Sequence, residues 1–175
     1  GDTMYEEAIR VPIVVRLPGD EAAGTRIPDL VGLADIAPTI ARLVTGKVPE
    51  SYQGHDLFQS GDAPVLGDEQ HVGNDVRSLV YRVKGGALWK VIMANEGNPR
   101  GMPAKSLFDL GKDPHEKTNL AAVGKGDDLR LALESLGKAL EESAKGAVAK
   151  KAIEIDEKSK KHLEELGYIR DDKKQ

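Results

Sequence analysis

The sequence predicts an α/β fragment: the end of a large α/β domain, followed by a small antiparallel β-sheet packed by C-terminal helices. Three patterns predict this fold class. Residues 11–17 are apolar and largely β-branched, which is typical of a strand buried on both faces. Residues 64–110 contain short apolar segments between Gly-rich or polar turns, the pattern of an antiparallel meander. Between residues 129 and 140, leucines recur at helical spacing.

These patterns divide the 175 residues into three parts. We expect residues 1–62 to form the C-terminal end of the large domain and residues 63–126 to form the small antiparallel sheet subdomain. Residues 127–175 are expected to form the C-terminal helices. A hydrophobic content of 39% is enough to build a core, and the length suits one domain or two small ones.

The first part opens with a predicted strand. Val11–Leu17 carries the apolar run, and Pro12 occupies the first strand position, where a missing N–H is tolerated. Pro18-Gly19 ends this strand, and the polar residues 20–26 predict a surface loop. Ile27–Leu33 then predicts a second short strand.

A helix follows the second predicted strand. Asp35 can cap its start, Pro38 falls within its first turn, and Gly46 ends it. Its apolar residues predict one stripe packed on a core: Ile36, Ile40, Leu43 and Val44. The loop at residues 48–58 is expected to be held down by three larger side chains: Tyr52, Leu57 and Phe58.

The second part predicts four short strands, at residues 64–67, 76–83, 87–94 and 106–110. Lys84–Ala87 predicts a tight hairpin turn, because Gly85 and Gly86 can adopt positive φ. Alternation predicts which side chains share a face of each strand. On the second predicted strand, one face carries Leu79, Tyr81 and Val83. On the third, one face carries Leu88, Lys90 and Ile92, and the opposite face carries Trp89, Val91 and Met93. The following helix is the expected cover, through Leu129, Leu133, Leu136 and Leu140.

The connections and the end of the chain are polar. Residues 95–104 predict a loop, Asp113-Pro114 predicts a turn, and Asn119 is expected to cap or close the next turn. Alternating Lys and Glu toward the C-terminus predict a solvated helical face. Three residues mark the expected boundaries of the final helices: a break at Gly146, a cap at Asp156 and a stop at Gly167.

Composition excludes several kinds of partner. The net charge of −4 argues against nucleic acid, which selects a basic face, and 4% aromatic content offers no evident stacking platform. No apolar run is long enough to be a membrane-spanning segment. The chain has no Cys, so it has no disulfide or thiolate site. A Cys-free segment suits a periplasmic or secreted location as well as a cytoplasmic one.

Four ordered motifs carry a resemblance to a known family. They are Tyr5-Glu6-Glu7-x-x-Arg10-Val11-Pro12; Asp35-x-x-Pro38-Thr39; Ser106-Leu107-Phe108-Asp109-Leu110 with Asp113-Pro114-x-Glu116-x-x-Asn119-Leu120; and Leu166-Gly167-Tyr168-Ile169. The sequence resembles the sulfatase family of the alkaline-phosphatase-like superfamily. The resemblance implies an alkaline-phosphatase-like large domain, a parent protein that is a sulfuric ester hydrolase, and a sulfate ester as its substrate.

The resemblance also implies a nucleophile and a metal. Sulfatases use a formylglycine made from Cys or Ser in a Cys/Ser-x-Pro/Ala-x-Arg motif, beside a divalent metal, calcium or magnesium. The chain has no Cys, and none of its serines begins that motif. We therefore expect both groups in a missing N-terminal catalytic part, and we predict that this fragment alone is inactive and binds no cofactor.

The start of the chain resembles the edge of an active site in this family. A sulfate-binding Lys stands just before a Gly-x-Thr tripeptide, which Gly1-Asp2-Thr3 matches. We expect that Lys immediately before residue 1. The alternative is a true start at Met4.

Within the chain, no residue is predicted to be catalytic or to bind a metal, because the four His lie far apart without i, i+4 spacing. Arg10 and His71 are the candidate substrate-binding residues. Arg10 lies three and four residues after Glu7 and Glu6, a spacing that favours a local ion pair over a sulfate contact. His71, in a predicted loop between strands, could reach a substrate cleft, although a solvated surface role is favoured.

Two alternatives to a sulfatase remain open. One is a non-catalytic binding or scaffold module with a sulfatase-like frame, and the other is a phosphonate or phosphodiester hydrolase of the same superfamily. For a sulfatase part, we expect poor folding in isolation, because the strand at Val11–Leu17 would expose an unpaired edge.

Overall fold

The computed structural model describes residues 3–59, 61–71, 73–124, 126–145 and 156–165. In chain order, its helices and strands are α1 Glu6–Ile9, α2 Ile36–Thr45, β1 Val65–His71, β2 Asn74–Arg82, β3 Leu88–Ala94, β4 Lys105–Asp109, α3 Gly126–Lys145 and α4 Glu157–Glu165. Two short 3₁₀ turns, Pro18–Asp20 and Leu33–Asp35, precede α2.

The four strands form one antiparallel sheet in the order β1-β2-β3-β4, so the predicted meander is confirmed. Each strand pairs with the next along the chain, through short turns after β1 and β2 and through the loop at residues 95–104 after β3. Gly85 and Gly86 adopt the predicted positive φ, 104° and 89°, in the β2–β3 hairpin, but the turn lies one residue earlier than predicted, because the Gly86 N–H donates to the Val83 carbonyl at 2.9 Å. At the centre of the sheet, Lys90 lies between Val80 on β2 and Phe108 on β4.

Both faces of this sheet are covered. We call the face that packs on α3 the second face, and the opposite face the first face. The contact between α3 and the second face has five residues at its centre: Leu79, Val91, Leu107, Ala132 and Leu136. Leu129, Leu133 and Leu140 pack against this cluster, so the predicted helical cover is confirmed. The first face instead packs on the beginning of the chain, with a core of Met4, Val76, Val80, Ile92, Ala94, Met102, Phe108 and Leu110. The sequence predicted no cover for this face.

The predicted strand at Val11–Leu17 is wrong for the described chain. The segment pairs with none of the four strands, and Pro12 begins no strand. Its apolar side chains point largely to solvent, with Val14 92% exposed. A buried strand requires neighbours on both sides to satisfy its backbone. Ile27–Leu33 is also not a strand, because it runs irregularly into the Leu33–Asp35 turn.

The bounds of α2 are as predicted, but its predicted packing is wrong. Gly46 ends the helix in the left-handed conformation at φ 79°. The predicted stripe is largely exposed, with Ile40 at 55% and Val44 at 79%, while Pro38 and Thr39 are the buried residues of the helix. The helix therefore presents a different face to the rest of the described chain than its apolar spacing predicts.

The loops and the C-terminal helices follow the sequence in part. In the loop at residues 48–58, Leu57 is buried as predicted, whereas Tyr52 and Phe58 are exposed. Two helices, α3 and α4, occupy the end of the chain, and Asp156 accepts the Ser159 N–H at 2.9 Å as the predicted cap. Gly146 and Gly167 lie outside the described residues. Within the described ranges, no helix combines the length and the apolar character of a membrane-spanning segment.

Candidate functional site

The two candidate substrate-binding residues lie on the surface. Arg10 is exposed directly after α1, and Glu6 pairs with Lys90 rather than with Arg10. His71 is exposed as the last residue of β1, opposite Asn74, so it lies on a strand end rather than in a loop. Neither residue belongs to the two buried polar clusters described next.

The first polar cluster, which we call the Lys90 cluster, consists of Glu6, Lys90 and Glu116. The Lys90 side chain is 0% exposed, and its ammonium lies 3.0 Å from Glu6 Oε1 and 2.9 Å from Glu116 Oε1. The backbone N–H of Glu6 also donates to Glu116 Oε2. Three residues far apart in sequence thus meet on the first face of the sheet.

Local sequence places each member of the Lys90 cluster. Alternation along β3 directs Lys90 to the first face, where Val80 and Phe108 are its neighbours across the strands. Tyr5 packs edge-on against Phe108, with ring centroids 6.0 Å apart. Tyr5 and Glu6 are consecutive in sequence, and their partners Phe108 and Lys90 are paired across β3 and β4. The aromatic contact and the ion pair therefore lie side by side on the sheet.

A turn delivers Glu116 to the cluster. The Glu116 N–H donates to the Asp113 carbonyl at 3.1 Å, and the Thr118 N–H donates to the Asp113 carboxylate at 2.7 Å. Hydrogen bonds from the backbone N–H groups of Thr118 and Lys117 lower the pKa of Asp113. Glu116 itself has φ 52°, a left-handed conformation that is uncommon for a residue other than Gly.

The Tyr5 hydroxyl is not poised to ionise. Burial raises the pKa of Tyr5, and the negative charges of Glu116 and Glu7 raise it further. The ring therefore acts at neutral pH as an uncharged aromatic contact beside the Lys90 cluster.

The second polar cluster surrounds Asp35. Its buried carboxylate accepts the Gly32 N–H at 2.8 Å and the His55 N–H at 2.7 Å. Thr39 Oγ1 donates to the Asp35 carbonyl at 2.6 Å and accepts the Leu57 N–H at 2.8 Å. Asp35 precedes α2 as predicted, but its side chain joins the helix start to the following loop instead of capping α2.

The same loop approaches the helix start closely at Gly54. A Cβ at Gly54 would overlap the carbonyl oxygen of Ala34. Farther along, Arg42 forms an ion pair with the buried Asp56 and lies over the Phe58 ring at 5.8 Å from its centroid. The polar side chains of the Asp35-x-x-Pro38-Thr39 motif, Asp35 and Thr39, thus form hydrogen bonds within the fold. These bonds hold the start of α2 to the following loop and are not directed at a ligand.

No complete metal site is present in the part of the chain that the structure describes. It contains no group of three or more His, Cys, Asp or Glu side chains arranged to hold an ion. The buried carboxylates are already engaged: Glu116 contacts Lys90, and Asp35 accepts two backbone N–H groups. The residues described do not fit a divalent metal.

Comparison with known proteins defines the class. Residues 2–73 match a family model described as "N-sulphoglucosamine sulphohydrolase, C-terminal". Arylsulfatases match over about two thirds of the chain. These findings identify the chain as a C-terminal portion of a sulfatase, as the four motifs predicted.

Several relatives illustrate the match. Arylsulfatase K of Rattus norvegicus is 31% identical over 132 residues, which is 68% of this chain and 22% of the relative. Arylsulfatase K of Homo sapiens is 29% identical over 68% of this chain and 24% of its own length. An arylsulfatase of Clostridium perfringens is 28% identical over 66% of this chain and 24% of its own length. The matched region spans about a quarter of these relatives.

The structure brings two of the sequence motifs together. Glu6 belongs to the first motif, and Glu116 belongs to the Asp113-Pro114-x-Glu116 motif. They meet at Lys90, which sequence reasoning placed on a strand face but did not select. A signal was available, because Lys90 is the charged residue between Leu88 and Ile92 on that face.

Proposed function

We propose that this chain is the C-terminal part of an enzyme that hydrolyses sulfate esters. Its similarity to arylsulfatases over about two thirds of its length supports this proposal most directly. We further propose that the nucleophile is a formylglycine and that a divalent metal, calcium or magnesium, assists it. Both groups belong to the part of the protein outside this chain, and the lysine expected before residue 1 binds the sulfate group.

This chain contributes structure to the enzyme. The described residues offer no group of three metal ligands, while many apolar side chains between residues 11 and 58 are exposed. An exposed apolar surface of this kind marks a contact with another protein part. On the proposal, the N-terminal catalytic part covers these residues, and the sheet with its helices borders the substrate pocket.

The test uses the full-length protein that contains this chain. We expect it to hydrolyse 4-nitrophenyl sulfate, to lose activity with EDTA, and to carry a formylglycine detectable by peptide mass spectrometry. The control substrates are 4-nitrophenyl phenylphosphonate and bis(4-nitrophenyl) phosphate. Preference for either control would favour a phosphonate or phosphodiester hydrolase, and inactivity on all three esters would favour a non-catalytic module.

The isolated 175-residue chain provides a second comparison. We expect it to release no sulfate from the aryl ester at any metal concentration, because its described residues include no complete metal site. Metal-dependent turnover by this chain alone would contradict the assignment of the catalytic groups to the rest of the protein.

A further inference from the structure

We propose that Lys90 is a positioning residue: its buried ammonium determines where residues 3–9 lie on the sheet. The functional consequence rests on the proposed function, in which a sulfate-binding lysine directly precedes this chain. Residues 3–9 would then transmit the position of the sheet to the substrate site. Lys90 itself touches no substrate, since it is fully enclosed on the first face.

The burial of Lys90 requires an explanation. It is one of the largest side chains in the described core that are essentially inaccessible to solvent, and its strand neighbours Val80 and Phe108 are apolar or aromatic. A buried ammonium is costly unless it is paired, and a well-packed apolar residue at such a position is often equally stable. Stability alone therefore does not account for a lysine here, whereas a requirement for one defined arrangement does.

Apart from the Lys90 cluster, residues 3–9 are held on the sheet by apolar contacts. α1 is a single turn with no buried residue, and a helix this short does not hold its place without tertiary contacts. Met4 and the Tyr5 ring supply apolar contacts, which tolerate sliding. The ion pair at 3.0 Å between Glu6 and Lys90 resists sliding, because any displacement of Glu6 would lengthen the distance between its carboxylate and the buried ammonium.

The backbone of Glu116 is an independent observation. Its φ of 52° would suit Gly, and a bulkier residue costs roughly 1 kcal/mol or more there. The Glu116 side chain uses this conformation to contact Lys90 through one oxygen and to accept the Glu6 N–H through the other. The turn thus carries a strained residue whose carboxylate joins both remaining members of the cluster.

The experiment compares variants of the full-length protein by three measurements: the Tm, hydrogen exchange of the peptide spanning residues 4–10, and kcat/KM for 4-nitrophenyl sulfate. Lys90→Met leaves two carboxylates without their cation, so we expect a lower Tm, faster exchange, and a loss of kcat/KM of about 100-fold from the misplaced segment. Lys84→Met is the matched control, because that residue is exposed in the β2–β3 hairpin. All three measurements should stay at the wild-type values for it.

A triple variant separates positioning from stability. Lys90→Met with Glu6→Gln and Glu116→Gln removes every charge of the cluster while retaining similar shapes. We expect its Tm to return close to that of the wild type, while exchange at residues 4–10 stays fast and kcat/KM stays low. If the triple variant recovers all three properties, or if Lys90→Met retains slow exchange, the proposal is overturned.

Two outcomes need separate interpretation. If Lys90→Met does not fold, the triple variant and Glu116→Gln alone decide the matter, with faster exchange at residues 4–10 supporting the proposal and wild-type exchange overturning it. If the wild-type protein hydrolyses no sulfate ester, the proposed function fails. The exchange measurement would still decide whether Lys90 positions residues 3–9.

Discussion

The beginning of the chain and the sheet with its helix satisfy their hydrophobic patterns in different ways. Thirteen large apolar side chains are exposed among the described residues, and eleven of them lie between residues 11 and 58. In the sheet, by contrast, Val76, Val91 and Ile92 are fully buried and α3 covers one face. Both regions are apolar in sequence, but only the second finds its partners nearby along the chain.

This difference shows that an apolar sequence pattern predicts which surface is buried but not which element buries it. Each strand of the meander pairs with its neighbour in sequence, so local sequence patterns are sufficient to predict the pairing. A run such as Val11–Leu17 indicates a strand buried on both faces, which requires partners that the described chain does not provide. Four substitutions test this contrast, from the largest expected effect to the smallest.

Phe108→Ala should break the sheet. The ring is buried at the centre of the first-face core and contacts Tyr5, so its loss should lower the free energy of unfolding by about 3–5 kcal/mol. Urea unfolding of the 175-residue chain measures the change, at a protein concentration low enough to prevent association through its exposed apolar residues. Phe58→Ala, at an exposed ring in the first region, is the control and should cost less than about 1 kcal/mol. Equal losses would show that both regions are packed alike.

Gly54→Ala should identify the packed part of the first region. The new Cβ would overlap the Ala34 carbonyl, so the loop must move away from the start of α2 at a cost of about 1–3 kcal/mol. Gly126→Ala is the matched control, because its Cβ would meet no atom within 4 Å. The same urea measurement applies, and an unchanged midpoint for Gly54→Ala would contradict the close approach.

Asp62 joins the two regions and should give a small pH effect. It accepts the Leu30 N–H at 2.8 Å and pairs with Arg82 of β2 at 2.9 Å. The hydrogen bond from Arg82, followed by that from Leu30, lowers the pKa of Asp62 in the folded protein. Its contribution to stability is therefore present above the unfolded-state pKa of a carboxyl and is lost as the pH falls through the lower folded-state value.

Thermal unfolding between pH 6 and pH 2 checks this sign. The wild-type Tm should fall more steeply in acid than the Tm of Asp62→Asn, which lacks the titrating group. The difference should be small, because both side chains are about one-third exposed. Identical slopes for the two proteins would mean that this ion pair does not couple the regions.

Val14→Lys should leave the stability of the isolated chain unchanged. The side chain is 92% exposed, so the free energy of unfolding should change by less than about 0.5 kcal/mol while aggregation slows. Light scattering alongside urea unfolding measures both properties. In the full-length protein, the same substitution should be destabilising if the proposed catalytic part covers Val14. A loss in the isolated chain would instead place Val14 in a core of its own.

The contrast also explains which parts of the site could be predicted. Glu6 and Glu116 stood in two sequence motifs, and Lys90 stood on an apolar strand face, but nothing local joined them. Their meeting depends on the first face being covered by the beginning of the chain, about 80 residues before β3. The sequence also did not show that the Glu6 carboxylate would contact Lys90 instead of forming the predicted local ion pair with Arg10.

The sequence by itself determined the meander, the Gly85-Gly86 hairpin, the apolar face of α3 and the bounds of α2. It also determined the family, through motifs that are readable without a structure. Tertiary structure alone decided that Val11–Leu17 forms no strand here, that α2 buries Pro38 and Thr39, and that Lys90 pairs with two distant carboxylates. The physical reason is range: backbone periodicity and turn chemistry act over a few residues, whereas burial and ion pairing depend on which surfaces meet.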